Sequence, residues 1–152
     1  MTPGLLQSKI IVARASLIRQ MLNDIGALPL SSLEAFQADP RNVAAAESYL
    51  RRALEALLDL GRHIGARGFG KAAAEYKQIA EVLKDAGVLD ETTSKMLRKL
   101  AGYRNRMVHF YDEVSHRELW EICTHELKDI ERVLDVLLNW INRNPDKIDT
   151  KL

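Results

Sequence analysis

Apolar residues recur along this chain at spacings of three and four, and runs in which valine, isoleucine and threonine alternate with polar residues are missing. That pattern constrains the fold more than any other feature: each segment presents one apolar stripe at helical period, so the chain must be all-α. A first helix is expected from about Leu5 to Ile25, with Ile10, Ala13, Leu17 and Met21 on its inner face. Pro29 and the Ser31-Ser32 pair break it, and 31–38 reads as a short helical turn.

Asp39-Pro40 is a strong helix start, because Asp accepts from free first-turn amides and Pro at the first helical position lacks a donor that would be orphaned anyway. From there Val43, Ala46, Leu50, Leu54, Leu57, Leu58 and Ile64 form one long stripe, ended by Gly65, Gly68 and Gly70. These glycines follow a helix rather than a strand and lack a Gly-Lys-Ser/Thr ending, so they read as a connector, not a phosphate loop. Ala72 to Ala86 predicts a shorter helix closed by Gly87, and Asp90 caps the next, which starts at Glu91. Ser115 and Glu118 have capping-box spacing and launch a last long helix through Leu119, Leu127 and Leu138 to about Asn142. The sum is an antiparallel up-and-down bundle of four main helices plus a short extra one. Residues 1–145 form a single domain in this reading, and Asn144-Pro145 leads into a flexible tail over 146–152.

The 152 residues are enough to bury about two thirds of the unfolded surface without staples. The lone Cys123 sits among Trp120, Ile122 and Leu127 as a small buried residue would in a reducing compartment, so the cytoplasm is expected. Lys9, Arg14 and Arg19 interrupt the apolar stretch from Leu5 to Leu22, which excludes a membrane span there. A net charge of +1 argues against coating nucleic acid through bulk electrostatics. Locally the balance differs: from Ser94 to Tyr111 stand Lys95, Arg98, Lys99, Arg104 and Arg106 with no acidic residue.

That segment ends in Arg104-Asn105-Arg106-Met107-Val108-His109-Phe110-Tyr111, which packing does not explain. An Arg and a His reaching one phosphate supply fixed positive charge for the phosphoryl oxygens and a proton carrier titrating near neutrality. On a regular helix the two are offset by about 140° around the axis. They share a ligand only if the arginine sweeps round, the helix deforms, or another helix or subunit completes the cleft. His63, His109, His116 and His125 form no metal-binding spacing, and neither metal nor cofactor is expected.

Arg104-Asn105-x-x-x-His109-x-Tyr111 resembles the R-N-x-x-x-H-x-Y signature of the HepT-like toxins, a prokaryotic branch of the HEPN superfamily. The likeness runs from about Ala46 to Leu138, including the stretch from Ala53 to His63 and Gly87-Val88-Leu89. It implies a homodimeric helical bundle whose Arg-His motifs face a shared cleft, acting as a metal-independent endoribonuclease. It also implies a partner, an MNT-type nucleotidyltransferase antitoxin that neutralises the toxin by binding and by attaching AMP to the motif tyrosine. By position Arg104 and His109 are then the catalytic pair, Asn105 a supporting residue, and Tyr111 the AMPylation site. Lys95, Arg98 and Arg106 are candidates for contacts to flanking RNA phosphates. The rival reading is a module that binds a nucleotide, or docks a nucleotidyltransferase, without cutting anything.

Overall fold

The computed structural model describes residues 4–109 and 114–149, His109 by its backbone alone. Among these residues seven α-helices pack around a single apolar core: α1 (Ser8–Gly26), α2 (Leu33–Gln37), α3 (Pro40–His63), α4 (Tyr76–Asp85), α5 (Glu91–His109), α6 (His116–His125) and α7 (Leu127–Asn142). The expected helical bundle is present. α3 is its axis, touching α1, α2, α4, α5, α6 and α7, and its second half buries Ala53, Leu54, Ala56, Leu57, Leu58, Leu60 and Gly61.

Several starts and stops follow from side chains close in sequence. Asp39 Oδ1 accepts from the Arg41 amide at 2.9 Å, with Pro40 as the first residue of α3. Asp90 Oδ1 accepts from the Thr93 amide at 2.7 Å at the head of α5. Gly87, at φ +80°, ends α4, and the Val88 amide returns to the Leu83 carbonyl at 2.9 Å.

Other expectations need correction. The inner face of α1 is Ile11, Ala15, Ile18, Leu22 and Ile25 beside Met21, whereas Ala13 is exposed and Ile10 and Leu17 are only partly buried. The run Ile10-Ile11-Val12-Ala13 accommodates either azimuth, and the second half of the helix decides between them. The glycines after α3 do not end it abruptly, because Ile64–Gly68 continues as a π-helical turn. A Cβ on Gly65 would stand 3.0 Å from Val82 Cγ1, so the glycine admits α4 there. α4 begins at Tyr76, not Ala72, where Glu75 and Gln78 form a capping box.

At the head of α6 only half of the expected capping box forms. Ser115 Oγ accepts from the Glu118 amide at 3.1 Å, but the Glu118 carboxylate turns to Arg106. The last long helix is two: it breaks at Glu126, just after Thr124 Oγ1 donates back to the Trp120 carbonyl at 2.8 Å. Nor does the chain run loose from Asp146. Pro145–Lys147 makes a 3-10 turn, and β2 (Ile148–Asp149) pairs in parallel with β1 (Leu6–Gln7). The Gln7 amide donates to His63 Nε2 at 3.0 Å, tying this ladder to the end of α3. Burial first, then Arg67 and Arg14, holds the His63 imidazole below its ordinary pKa, in keeping with an acceptor nitrogen. Cys123 is buried, and desolvation pushes its thiol up to about 12. No helix among the described residues is long and apolar enough to cross a membrane.

Candidate functional site

α5 is held by its inner face. Leu97, Leu100 and Ala101 are buried, and Ser94 Oγ donates to the Ala80 carbonyl of α4 at 3.2 Å. The helix runs without interruption from Glu91 to His109. Arg104 projects into a polar cleft of about 460 Å³ lined by Arg62, Ala74, Glu75, Tyr76, Arg104 and Asn105.

The Arg104 side chain is only 18% exposed, yet its ties are loose. Nη2 lies 3.7 Å from Glu55 Oε2, Nη1 is 3.5 Å from Asn105 Oδ1, and Nε is buried without a hydrogen-bond partner. The guanidinium carbon stacks 4.6 Å from the centroid of the Tyr76 ring. Charge is thus balanced, but most of the five N–H donors remain uncommitted to good hydrogen bonds. A guanidinium in that condition, half walled by an aromatic ring and facing a polar cleft, is suited to phosphoryl oxygens.

The other cations of the segment are differently placed. Arg106 makes a bidentate pair with Glu118, at 2.8 and 2.6 Å. Arg98 pairs with Glu81 at 3.0 Å, Lys95 lies 3.7 Å from Glu91, and Lys99 binds Glu126. The acid-free stretch is therefore acid-free in sequence only. Its carboxylates arrive from α4, the start of α5, the first turn of α6, and the α6–α7 junction.

Asn105 lines the cleft beside Arg104. The His109 side chain and all of Tyr111 lie outside the described residues. Glu55, Arg62 and Tyr76 belong to no motif in the sequence. Glu55, Asp59 and Arg62 follow Arg51 at helical spacing and make the one polar stripe on the well-buried half of α3, a signal that was available; Tyr76 carried none. Among the described residues no group of three or more His, Cys, Asp or Glu is placed to hold a metal ion.

Residues 17–137 match the Ribonuclease HepT-like family, and the chain belongs to it. It is 28% identical over 120 residues to a putative RNase of Archaeoglobus fulgidus, covering 79% of this chain and 85% of that protein. It is 27% identical over 88 residues to the mRNA nuclease HepT of Shewanella oneidensis, covering 58% and 66%. Its fold resembles that of the tri-AMPylated Shewanella oneidensis HEPN toxin solved with its MNT antitoxin, with TM-score 0.77, 23% identity, and 86% and 97% of the two chains covered. It also resembles Bacillus subtilis YutE, a cytosolic protein of unknown function, with TM-score 0.73, 18% identity, and 91% and 93% covered.

Proposed function

We propose that this protein is the toxin of a toxin–antitoxin pair, an endoribonuclease in which Arg104 and His109 cut RNA without a metal. The observation that carries the reading is the Arg104 guanidinium, drawn into the cleft on the face of Tyr76 with its hydrogen-bonding capacity largely unspent. His109 takes the proton from an RNA 2′-hydroxyl, whose oxygen attacks the adjacent phosphorus. The bond to the 5′-oxygen breaks, that oxygen acquires a proton, and a 2′,3′-cyclic phosphate and a 5′-hydroxyl end result. Arg104 stabilises the charge developing on the phosphoryl oxygens, and Asn105, four residues before His109, orients the imidazole.

The chain works as a homodimer in this reading, the second copy helping to bring the two motif residues to one phosphate across the 140° offset. The antitoxin is an MNT-type nucleotidyltransferase, and its AMPylation of Tyr111 adds bulk and negative charge two residues from His109, opposing an anionic substrate. RNA cleavage by the pure protein in excess chelator tests the nuclease; activity surviving in both Arg104→Ala and His109→Ala would remove the motif from the mechanism. Mass spectrometry after co-expression with an MNT-type nucleotidyltransferase that neutralises the protein tests the modification, and an unmodified Tyr111 peptide in the neutralised complex would leave binding alone as the block.

A second reading, a nucleotide-binding or nucleotidyltransferase-docking module, draws support from one observation. Lys95, Lys99, Arg98 and Arg106 are all close to carboxylates, so α5 offers no broad unpaired cationic face to a polynucleotide. Toxicity on induction that disappears with His109→Ala decides for the nuclease.

A further inference from the structure

The cleft holds a second arginine on the same ring, more exposed than the first at 38% against 18%. The Arg62 guanidinium carbon lies 4.7 Å from the Tyr76 centroid, against 4.6 Å for Arg104, so two cations share one aromatic ring. Arg62 Nη1 is 3.7 Å from Asp59 Oδ1, and Arg62 Nε, like Arg104 Nε, is buried without a hydrogen-bond partner. Two guanidiniums from different helices, each with a buried Nε lacking a partner and both lining one cleft, present donors that an anion in the cleft would satisfy.

The nearby carboxylates hold these arginines without using them up. Glu55 makes its short contact, 2.8 Å, with Arg51 and stands off Arg104 at 3.7 Å. Asp59 accepts from Tyr76 Oη at 3.3 Å and stands off Arg62 at 3.7 Å. They offset the mutual repulsion of the two cations and leave N–H donors for a stronger acceptor. Burial first, and then Asp59, raises the Tyr76 hydroxyl above its ordinary pKa, consistent with its donating to that carboxylate.

We infer that Arg62, Tyr76 and Arg104 form a two-guanidinium clamp for the RNA backbone, in which Arg104 serves the phosphate being cut, Arg62 holds a neighbouring phosphate, and Tyr76 fixes their spacing. This rests on the nuclease reading for Arg104 but adds a binding residue from α3 and a positioning residue from the first turn of α4. The Tyr76 ring is already engaged by guanidiniums, so the clamp reads phosphates rather than bases and is indifferent to sequence.

The test uses the full-length protein with an all-2′-deoxy oligonucleotide, which offers phosphates without the nucleophile, beside cleavage of the RNA of the same sequence, both across a salt series. Arg62→Ala is expected to weaken deoxy-oligonucleotide binding and raise KM about tenfold, in line with loss of a charge-assisted contact, acting on KM more than on kcat. The slope of log affinity against log salt should fall by about 0.7, the value for one phosphate contact on a single strand. Arg62→Lys should restore part of both. Tyr76→Ala should lower affinity and kcat together, and Tyr76→Phe, which keeps the ring, should recover most of that loss. Thermal melts check that each variant is folded. A folded Arg62→Ala protein with wild-type affinity and an unchanged salt slope overturns the clamp, as does a wild-type protein that does not bind the deoxy-oligonucleotide. If no RNA is cleaved but Arg62→Ala still weakens binding and flattens the salt slope, the nuclease reading falls and the clamp stands.

Discussion

Arg104 and Arg106 stand two residues apart on one helix and live in opposite conditions. Arg106 is locked to Glu118 by two hydrogen bonds of 2.8 and 2.6 Å, joining α5 to the first turn of α6. Arg104 is more buried, 18% exposed against 35%, yet its carboxylate partner is 3.7 Å away and its Nε has no partner at all. Arg106 has the saturated geometry of a structural arginine; Arg104 combines a buried Nε lacking a partner with a place in a polar cleft, the combination a ligand-binding arginine needs. Burial that leaves donors open costs stability, and such sites are where function is found.

The sharpest way to break this contrast is to remove each arginine in turn. Arg104→Ala should lower kcat for RNA cleavage by about 10²–10³, the typical cost of losing a donor to a developing oxyanion, with little change in melting temperature. Equal losses for Arg104→Ala and Arg106→Ala would erase the distinction. Gly61→Ala attacks the cleft from behind. Its Cβ would stand 2.9 Å from Ile79 Cγ2, forcing α4 away from α3 and moving Tyr76 from Arg62. Overpacking of that kind should cost about 1–3 kcal/mol in denaturant unfolding and raise KM. Arg106→Ala should lose only about 0.5–1 kcal/mol of stability, since the pair is partly exposed, and keep its cleavage chemistry.

The smallest effect is a pH dependence. The Arg106 hydrogen bonds hold the Glu118 carboxyl below its ordinary pKa of 4.5. Its stabilising contribution is therefore complete above pH 4.5 and is lost as the pH falls through the lowered folded value. The difference in melting temperature between wild type and Arg106→Ala should shrink as the pH is taken from neutral to about 3. A constant difference would mean that the ion pair contributes nothing.

What was legible in the sequence was local. Asp39, Gly87, Asp90 and Ser115 act on amides or carbonyls within a few residues, and each marks a helix boundary in the sequence and in the structure. The unusual chemistry around Arg104 also stood out, because five cations without an acid is a local property. The illegible parts are long-range. Which face of α1 is buried depends on packing with α3, and Glu118 has capping spacing locally while its partner Arg106 lies twelve positions away. A larger separation hid the cleft, since Glu55 and Arg62 come from α3 and Tyr76 from a helix that starts four residues later than its sequence suggests. Within the segment from Ser94 to Tyr111 only the motif resemblance sets Arg104 apart from Arg106; the physical difference comes from the carboxylates that arrive from elsewhere.

The most direct test observes both guanidiniums at once. In a spectrum of the arginine Nε–Hε groups, titration with the all-2′-deoxy oligonucleotide should shift the Arg104 resonance while that of Arg106 stays in place. Movement of Arg106 with Arg104 unchanged would contradict the account.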